Sequence, residues 1–490
     1  MKRLAPVTLE LSIFITAALA TRLVLEVNQS PIASVQSVPN ATTPEQITRG
    51  EYLARIGNCA GCHTARSGEP YAGGKAVDTP FGAVYASNLT PDKATGIRSW
   101  SADAFYRAMH DGRSKDGHLL YPAFPYPNLS LTTREDTDAI FAFLINRIGS
   151  VNRANREHAL ASSYNNAYAL AAWRLVYFKP ATQQTDASQS ARWNRGACHS
   201  TRNVLGAPVA GHTYDGTMMP GNDWYAPSLT DKREASVADW PIEQIAQWLK
   251  DGTSRTGAAM SPMAEIVFQS TQYASDADLA AMSDYLKSLP TTIAKRSDDT
   301  TPSGTVNEAG KRLYSDRCAT CHGDNCEVKS DAFPALVGNR TVTMANATNL
   351  ITLILKGGFA PATAGNPRPH GMPPFYHRLT DADIANVATY IRSSWGNAAP
   401  ALTELDMVKY RNTLETARYL GMFEAQETNR PSASSINAFR RKYCADLRIT
   451  QQPGFGTAAI HLSSLLDFDN ASINAARQLL GPHLLDDALT

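Results

Sequence analysis

Apolar positions recur every three to four residues in three stretches, about Arg134–Asn146, Ser275–Lys287 and Thr380–Ser393. Each has Asp, Ser or Thr near its start, the residue types that cap a helix N-terminus, so each is expected to be an amphipathic helix. Upstream of each, a second helical stretch runs into glycine, at Asp111-Gly112, Asp251-Gly252 and Gly357-Gly358. Glycine after an apolar-periodic segment is a helix stop. A Pro-rich or Met-bearing loop joins the two helices in every case. Ahead of the pairs stand Asn88-Leu89-Thr90 with Trp100, Ser228-Leu229-Thr230 with Trp240, and Ala335-Leu336-Val337. One plan therefore occurs three times, at domain-sized intervals of roughly 140 and 120 residues.

Polar stretches at Lys179–Arg192 and Thr291–Thr305 suit linkers. The expected division is 44–150, 180–290 and 304–398, with an aromatic-rich connection at 151–179 and a tail at 399–490 that does not follow the plan. The connection carries Tyr164, Tyr168, Trp173, Tyr177 and Phe178, suited to an inter-domain helix core, a domain interface or a membrane surface. Residues 1–22 have the form of an export signal or an uncleaved anchor: Lys2 and Arg3, an apolar run Leu11–Ala20, and a small-residue site at Ala18-Leu19-Ala20. The formal net charge of +1, without a basic run, gives no reason to expect a nucleic-acid partner.

Cysteine changes the picture. Cys59-Ala-Gly-Cys62-His63 opens the first copy and Cys318-Ala-Thr-Cys321-His322 the third. Chance would place roughly 0.002 copies of Cys-x-x-Cys-His in a chain of this composition. Two are present, so the pattern is selected. Two thiols one helical turn apart reach the two vinyl groups of haem as thioethers, and the adjoining histidine is then the proximal iron ligand. A zinc site would need a second nearby pair of ligands. The middle copy reads Arg195-Gly-Ala-Cys198-His199, with the first cysteine missing. The chain is expected to be all-α, three tandem class I cytochrome c-type domains, with two haem c groups and a third at Cys198 and His199. Soft thioethers favour Fe(II). Met372, in His370-Gly371-Met372-Pro373-Pro374, is the expected sixth ligand of the third haem, preferred over His370. Met263, in Met260-Ser261-Pro262-Met263, is that of the second, while Met260 and Met218-Met219 suit packing. In the first loop, Tyr121-Pro122-Ala123-Phe124-Pro125, Phe124 stands where methionine is expected. Met109 matches the core position of Leu249, His110 the solvated position of Lys250, and His118 is the substitute ligand to consider.

The chain resembles the trihaem cytochrome c subunits of bacterial membrane-bound alcohol, aldehyde and gluconate dehydrogenase complexes. The resemblance covers roughly residues 45–415. It is carried by Gly50-Glu51-Tyr52-Leu53, Thr79-Pro80-Phe81-Gly82, Leu120-Tyr121-Pro122-Ala123, Trp224-Tyr225-Ala226-Pro227, Pro262-Met263-Ala264-Glu265 and Ile391-Arg392-Ser393-Ser394-Trp395-Gly396. It implies a subunit on the periplasmic face of the cytoplasmic membrane that takes electrons from a PQQ- or flavin-bearing catalytic subunit and passes them to ubiquinone or, in some systems, to a terminal oxidase. Phe124, Arg195, Cys326 and the tail Gly421–Thr490 depart from that pattern. A peroxidase-like or gas-binding role at the first haem is the alternative those departures raise.

Overall fold

The structure is a computed structural model and describes residues 4–31, 42–179, 197–219, 223–254, 257–293, 307–324, 333–407 and 410. Arg195, Cys326, the tail beyond 410 and most of the two linkers lie outside the described residues. Residues up to Thr413 group as one compact unit.

α1 (Leu4–Val27) leads the chain, and among the described residues no helix is long and apolar enough to cross a membrane. α2 (Pro44–Ile56) starts under Thr43, whose hydroxyl accepts the Gln46 N–H at 3.2 Å. Asn58, in the left-handed region at φ 57°, turns the chain into the short helix α3 (Cys59–His63). A hairpin follows, β1 (Ala76–Thr79) against β2 (Gly82–Tyr85), and then α4 (Ala102–Asp111), α5 (Tyr126–Leu129) and α6 (Arg134–Asn146). β3 (Ala159–Leu160) adds to the hairpin and α7 (Ala167–Tyr177) closes this segment.

A second segment holds β4 (Thr217–Met218), β5 (Tyr225–Ala226), α8 (Ile242–Asp251), β6 (Thr253–Ser254), β7 (Gly257–Ala258), α9 (Pro262–Gln269) and α10 (Asp276–Ser288). The third has α11 (Glu308–Arg317), α12 (Ala319–His322), α13 (Arg340–Thr343), α14 (Thr348–Lys356), β8 (Gly358–Phe359), β9 (Gly371–Met372) and α15 (Asp381–Ser393). The three helices expected from apolar periodicity are α6, α10 and α15. Each starts after a Ser or Thr that accepts the backbone N–H three residues on, a cap that contributes about 1 kcal/mol.

Glycine fixes two helix crossings. A Cβ on Gly50 of α2 would lie 1.8 Å from the Ala139 carbonyl oxygen in α6, and one on Gly310 of α11 would lie 2.2 Å from the Asn386 carbonyl oxygen in α15. Both crossings therefore bring backbone against backbone, and each leads directly into a Cys-x-x-Cys-His turn. In the second segment the described packing is α8 on α10.

The expectation of an all-α chain of three tandem class I cytochrome c-type domains is corrected here. Four small antiparallel sheets and long coil accompany the helices. The segments are also cross-braced rather than strung out. Tyr52 donates to Asp278, Lys75 pairs with Glu265, and the Ser270 hydroxyl donates to the Ile56 carbonyl at 2.8 Å. Asn349 bonds both the N–H and the C=O of Tyr225, at 2.9 and 2.8 Å, and Arg340 pairs with Asp239. Strands of two to four residues are too short to show a period of two, so hydrophobic patterning carries no trace of them.

Two further expectations change. His110 is buried, 8 % exposed, with Nε2 3.0 Å from the Thr132 carbonyl and its ring stacked on Tyr106. Met218 is exposed rather than packed. The aromatic connection folds back on the first segment, where Phe81 meets Tyr164 and Phe178 meets Tyr126, and it also reaches the second, the Trp173 indole donating to the Leu205 carbonyl at 2.9 Å.

Sequence reasoning left residues 23–43 unassigned, and they contain a brace. Glu26 at the end of α1 pairs with Arg113 at 2.5 Å and with Arg174 at 3.0 Å. Both arginines are at least 95 % buried, and burial draws Arg113 below the usual guanidinium range. Glu26 lies beyond Ala20, so cleavage there would keep the brace.

Candidate functional site

α3 and α12 present their cysteines within one helical turn, and His63 and His322 close those turns. His199 ends a 3-10 turn, Ala197–His199. Each histidine is tied at Nδ1 to a backbone carbonyl: His63 to Ser87 at 2.7 Å, His199 to Pro227 at 2.6 Å, His322 to Pro334 at a looser 3.4 Å. A carbonyl can only accept, so Nδ1 carries the proton and Nε2 keeps its lone pair for a metal. Burial pushes all three imidazoles below their ordinary pKa, which keeps them neutral at pH 7.

The carbonyls come from equivalent loops. Ser87, Pro227 and Pro334 each immediately precede the triplets Asn88-Leu89-Thr90, Ser228-Leu229-Thr230 and Ala335-Leu336-Val337. Asn88 stiffens its loop, accepting from the Thr90 N–H at 2.9 Å and donating to the Val151 carbonyl at 2.8 Å. Ser228 does the same work, donating to the Tyr214 carbonyl at 3.0 Å.

The first two sites agree beyond the motif. Tyr71 and Tyr214 are both buried and both in the left-handed region, at φ 62° and 67°. Their carbonyls accept from Leu89 and Leu229 at 2.9 Å, while Gly73 and Gly216 donate to the carbonyls of His63 and His199 at 2.7 and 2.8 Å. The site that lacks a first cysteine in its motif therefore keeps the frame around its histidine.

One continuous cavity of about 2200 Å³ reaches Cys59, Cys62, His63, Cys198, His199, Cys318, Cys321 and His322. Met263, Met372 and Phe124 line it too. Its volume exceeds the roughly 300–1,000 Å³ of a pocket for one small ligand. Burial pushes the Cys59 thiol up to about 12 and Cys318 to about 11, so these thiols stay protonated. Among the described residues no group of three His, Cys, Asp or Glu could hold a bare metal ion. Neutral imidazoles with a free Nε2, paired thiols and a large apolar cavity fit a covalently attached haem.

The distal side differs between sites. Met263 sits in the first turn of α9 and Met372 in β9, each beside a proline. Phe124 packs against the core of α4 and α6, alongside Ile97, Phe105, Met109 and Leu144. His118 is 64 % exposed, with Nδ1 2.7 Å from Asp116. His370 faces the ring of Phe333 at 5.0 Å. Sequence reasoning missed His158, which lines the cavity and accepts the Tyr85 N–H at 3.2 Å. It missed also the structural role of Arg392, wholly buried, which donates to the carbonyls of Val342, Met344 and Pro400 at 2.8, 3.0 and 3.0 Å.

The cytochrome c family model matches residues 307–395, one domain rather than three. The gluconate 2-dehydrogenase cytochrome c subunit of Pantoea cypripedii is 33 % identical over 393 residues, 74 % of this chain and 89 % of that protein. The cytochrome c subunit of the quinone alcohol dehydrogenase of Gluconobacter oxydans is 33 % identical, over 75 % of this chain and 82 % of its own. The fructose dehydrogenase cytochrome subunit of Gluconobacter japonicus is 32 % identical, over 77 % and 85 %. With the histidine geometry, the paired cysteines and relatives of this coverage, the chain belongs to the family of cytochrome c subunits of alcohol, gluconate and fructose dehydrogenases.

Proposed function

We propose that this chain carries electrons from a PQQ- or flavin-bearing catalytic dehydrogenase subunit to ubiquinone at the periplasmic face of the cytoplasmic membrane. The observation that carries the reading is the threefold Nδ1-to-carbonyl tie of His63, His199 and His322 inside one apolar cavity. Haem c supplies one-electron chemistry when bound. Cys59, Cys62 and His63 would hold one haem and Cys318, Cys321, His322 and Met372 another. Cys198, His199 and Met263 would hold a third through a single thioether. The carbonyl ties fix each ring plane and raise the basicity of Nε2. The apolar walls exclude water and so tune potential.

Export is supported by Lys2, Arg3 and the run Leu11–Ala20, and haem attachment through thioethers suits an envelope compartment. The catalytic partner selects the substrate. The full chain, expressed in a bacterium and purified through a tag, should bring down a large subunit with bound flavin or PQQ. Adding that subunit's alcohol or sugar substrate should then reduce the haem bands. A chain that purifies alone, with bands unmoved by any such complex, would contradict the proposal.

A further inference from the structure

We infer that the first site draws no sixth axial ligand from its own segment and binds an exogenous neutral diatomic molecule of the carbon monoxide or nitric oxide class. This rests on haem c being held at Cys59, Cys62 and His63, and goes beyond it. Phe124 holds the place in its loop that Met263 and Met372 hold in theirs, and a phenyl ring has no lone pair to give iron.

Residues 42–179 contain one methionine and four histidines, and each is accounted for. His63 is the proximal residue. Met109 lies three residues before Gly112, as Leu249 lies before Gly252 and Ile354 before Gly357, and the three are 7 %, 5 % and 4 % exposed. It is the core position of its helix. His110 donates its Nε2–H to the Thr132 carbonyl and is not among the residues that line the cavity. His158 accepts the Tyr85 N–H at Nδ1, so its proton is on Nε2, which is a donor there and not a ligand.

His118 keeps a lone pair on Nε2 and borders the cavity, but its side chain is 64 % exposed and its loop is tied back. Its carbonyl accepts from the Ser114 N–H at 3.0 Å, its Nδ1 meets Asp116, and buried Arg113 grips the neighbouring Gly117 carbonyl at 3.2 Å. Ile97, Phe105, Phe124 and Leu129 give this end of the cavity an apolar wall. Distal polarity and hydrogen-bond donors decide between simple binding and activation of oxygen species. The four apolar side chains suit a neutral diatomic, and His158, with its proton on Nε2, is a donor on the same cavity lining.

The test uses the full-length matured chain. Peptide mass spectrometry first establishes haem on the Cys59/Cys62 peptide; its absence there would sink the functional reading rather than this inference. The dithionite-reduced protein should then give a carbon monoxide difference spectrum accounting for one haem, and the ferric protein a high-spin EPR signal. Phe124→Met should cut carbon monoxide binding at least tenfold, Phe124→Leu should keep it, and His118→Ala should leave it unchanged. A parent protein that carries this haem yet neither binds carbon monoxide nor shows the high-spin signal overturns the inference. So does carbon monoxide binding that appears only in His118→Ala, which would make His118 the ligand.

Discussion

In the first segment His63 leans on the Ser87 carbonyl and shares its cavity with Phe124; in the third, His322 leans on Pro334 and shares it with Met372. The proximal halves are built alike, down to the glycine crossing that feeds each motif. The distal halves are chemically opposite, a hydrocarbon ring against a thioether. On the proposed function, holding the cofactor and setting its electronic properties would be separable: the helix crossing, the paired cysteines and the tied histidine would do the first, and one loop residue the second.

The supports around the two sites differ as well, and breaking them should have the largest effect. Arg113 and Arg174 in the first segment share the Glu26 carboxylate, whereas Arg392 in the third sits among carbonyls. Glu26→Ala leaves two buried cations without their carboxylate, an arrangement that costs about 3–5 kcal/mol. Thermal unfolding followed by near-UV dichroism and by the haem bands should show the first site melting early and the third unmoved.

The crossings come next. Gly50→Ala and Gly310→Ala each drive a Cβ into a backbone oxygen, at a cost of about 1–3 kcal/mol. Each variant should lose haem from its own site and spare the other, as haem-peptide counts would reveal. Equal loss at both sites would mean that the cross-braces tie the two crossings into one cooperative structure.

Exchanging the distal residues should shift potential rather than stability. Phe124→Met is expected to raise the potential of the first site on the order of 0.1 V, part of the roughly 0.8 V that axial ligation spans. Met372→Phe should lower the third by a similar amount. For one electron that is about 2.3 kcal/mol. Spectroelectrochemical titration of each variant against the parent gives both numbers, and a shift of the same sign in the two exchanges would refute the comparison.

Much of the site was legible because its chemistry is tied to residue type. Cysteine, histidine and methionine announce themselves, and the ends of α6, α10 and α15 follow from capping residues and periodicity. What escaped depends on backbone. Any residue can offer a carbonyl, so Ser87, Pro227 and Pro334 carry no signal as acceptors. Their loops were marked only by the triplets that follow them. Tyr71 and Tyr214 adopt a left-handed conformation that glycine would have advertised and tyrosine hides. Glu26 escaped because its partners lie 87 and 148 residues away. His110 was misplaced by alignment with a lysine, since position in a helix does not reveal which carbonyl waits beside it. The two-residue strands leave no period at all.

The central claim is that Cys59, Cys62, Cys198, Cys318 and Cys321 hold haem by thioether bonds. Tryptic mass spectrometry of the matured full-length chain tests it most directly. One haem mass is expected on the Cys59/Cys62 peptide, one on the Cys318/Cys321 peptide, and one on the Cys198 peptide through a single bond. Free thiols at Cys59 and Cys62, or at Cys318 and Cys321, in protein matured by a host that attaches haem to other cytochromes would contradict it.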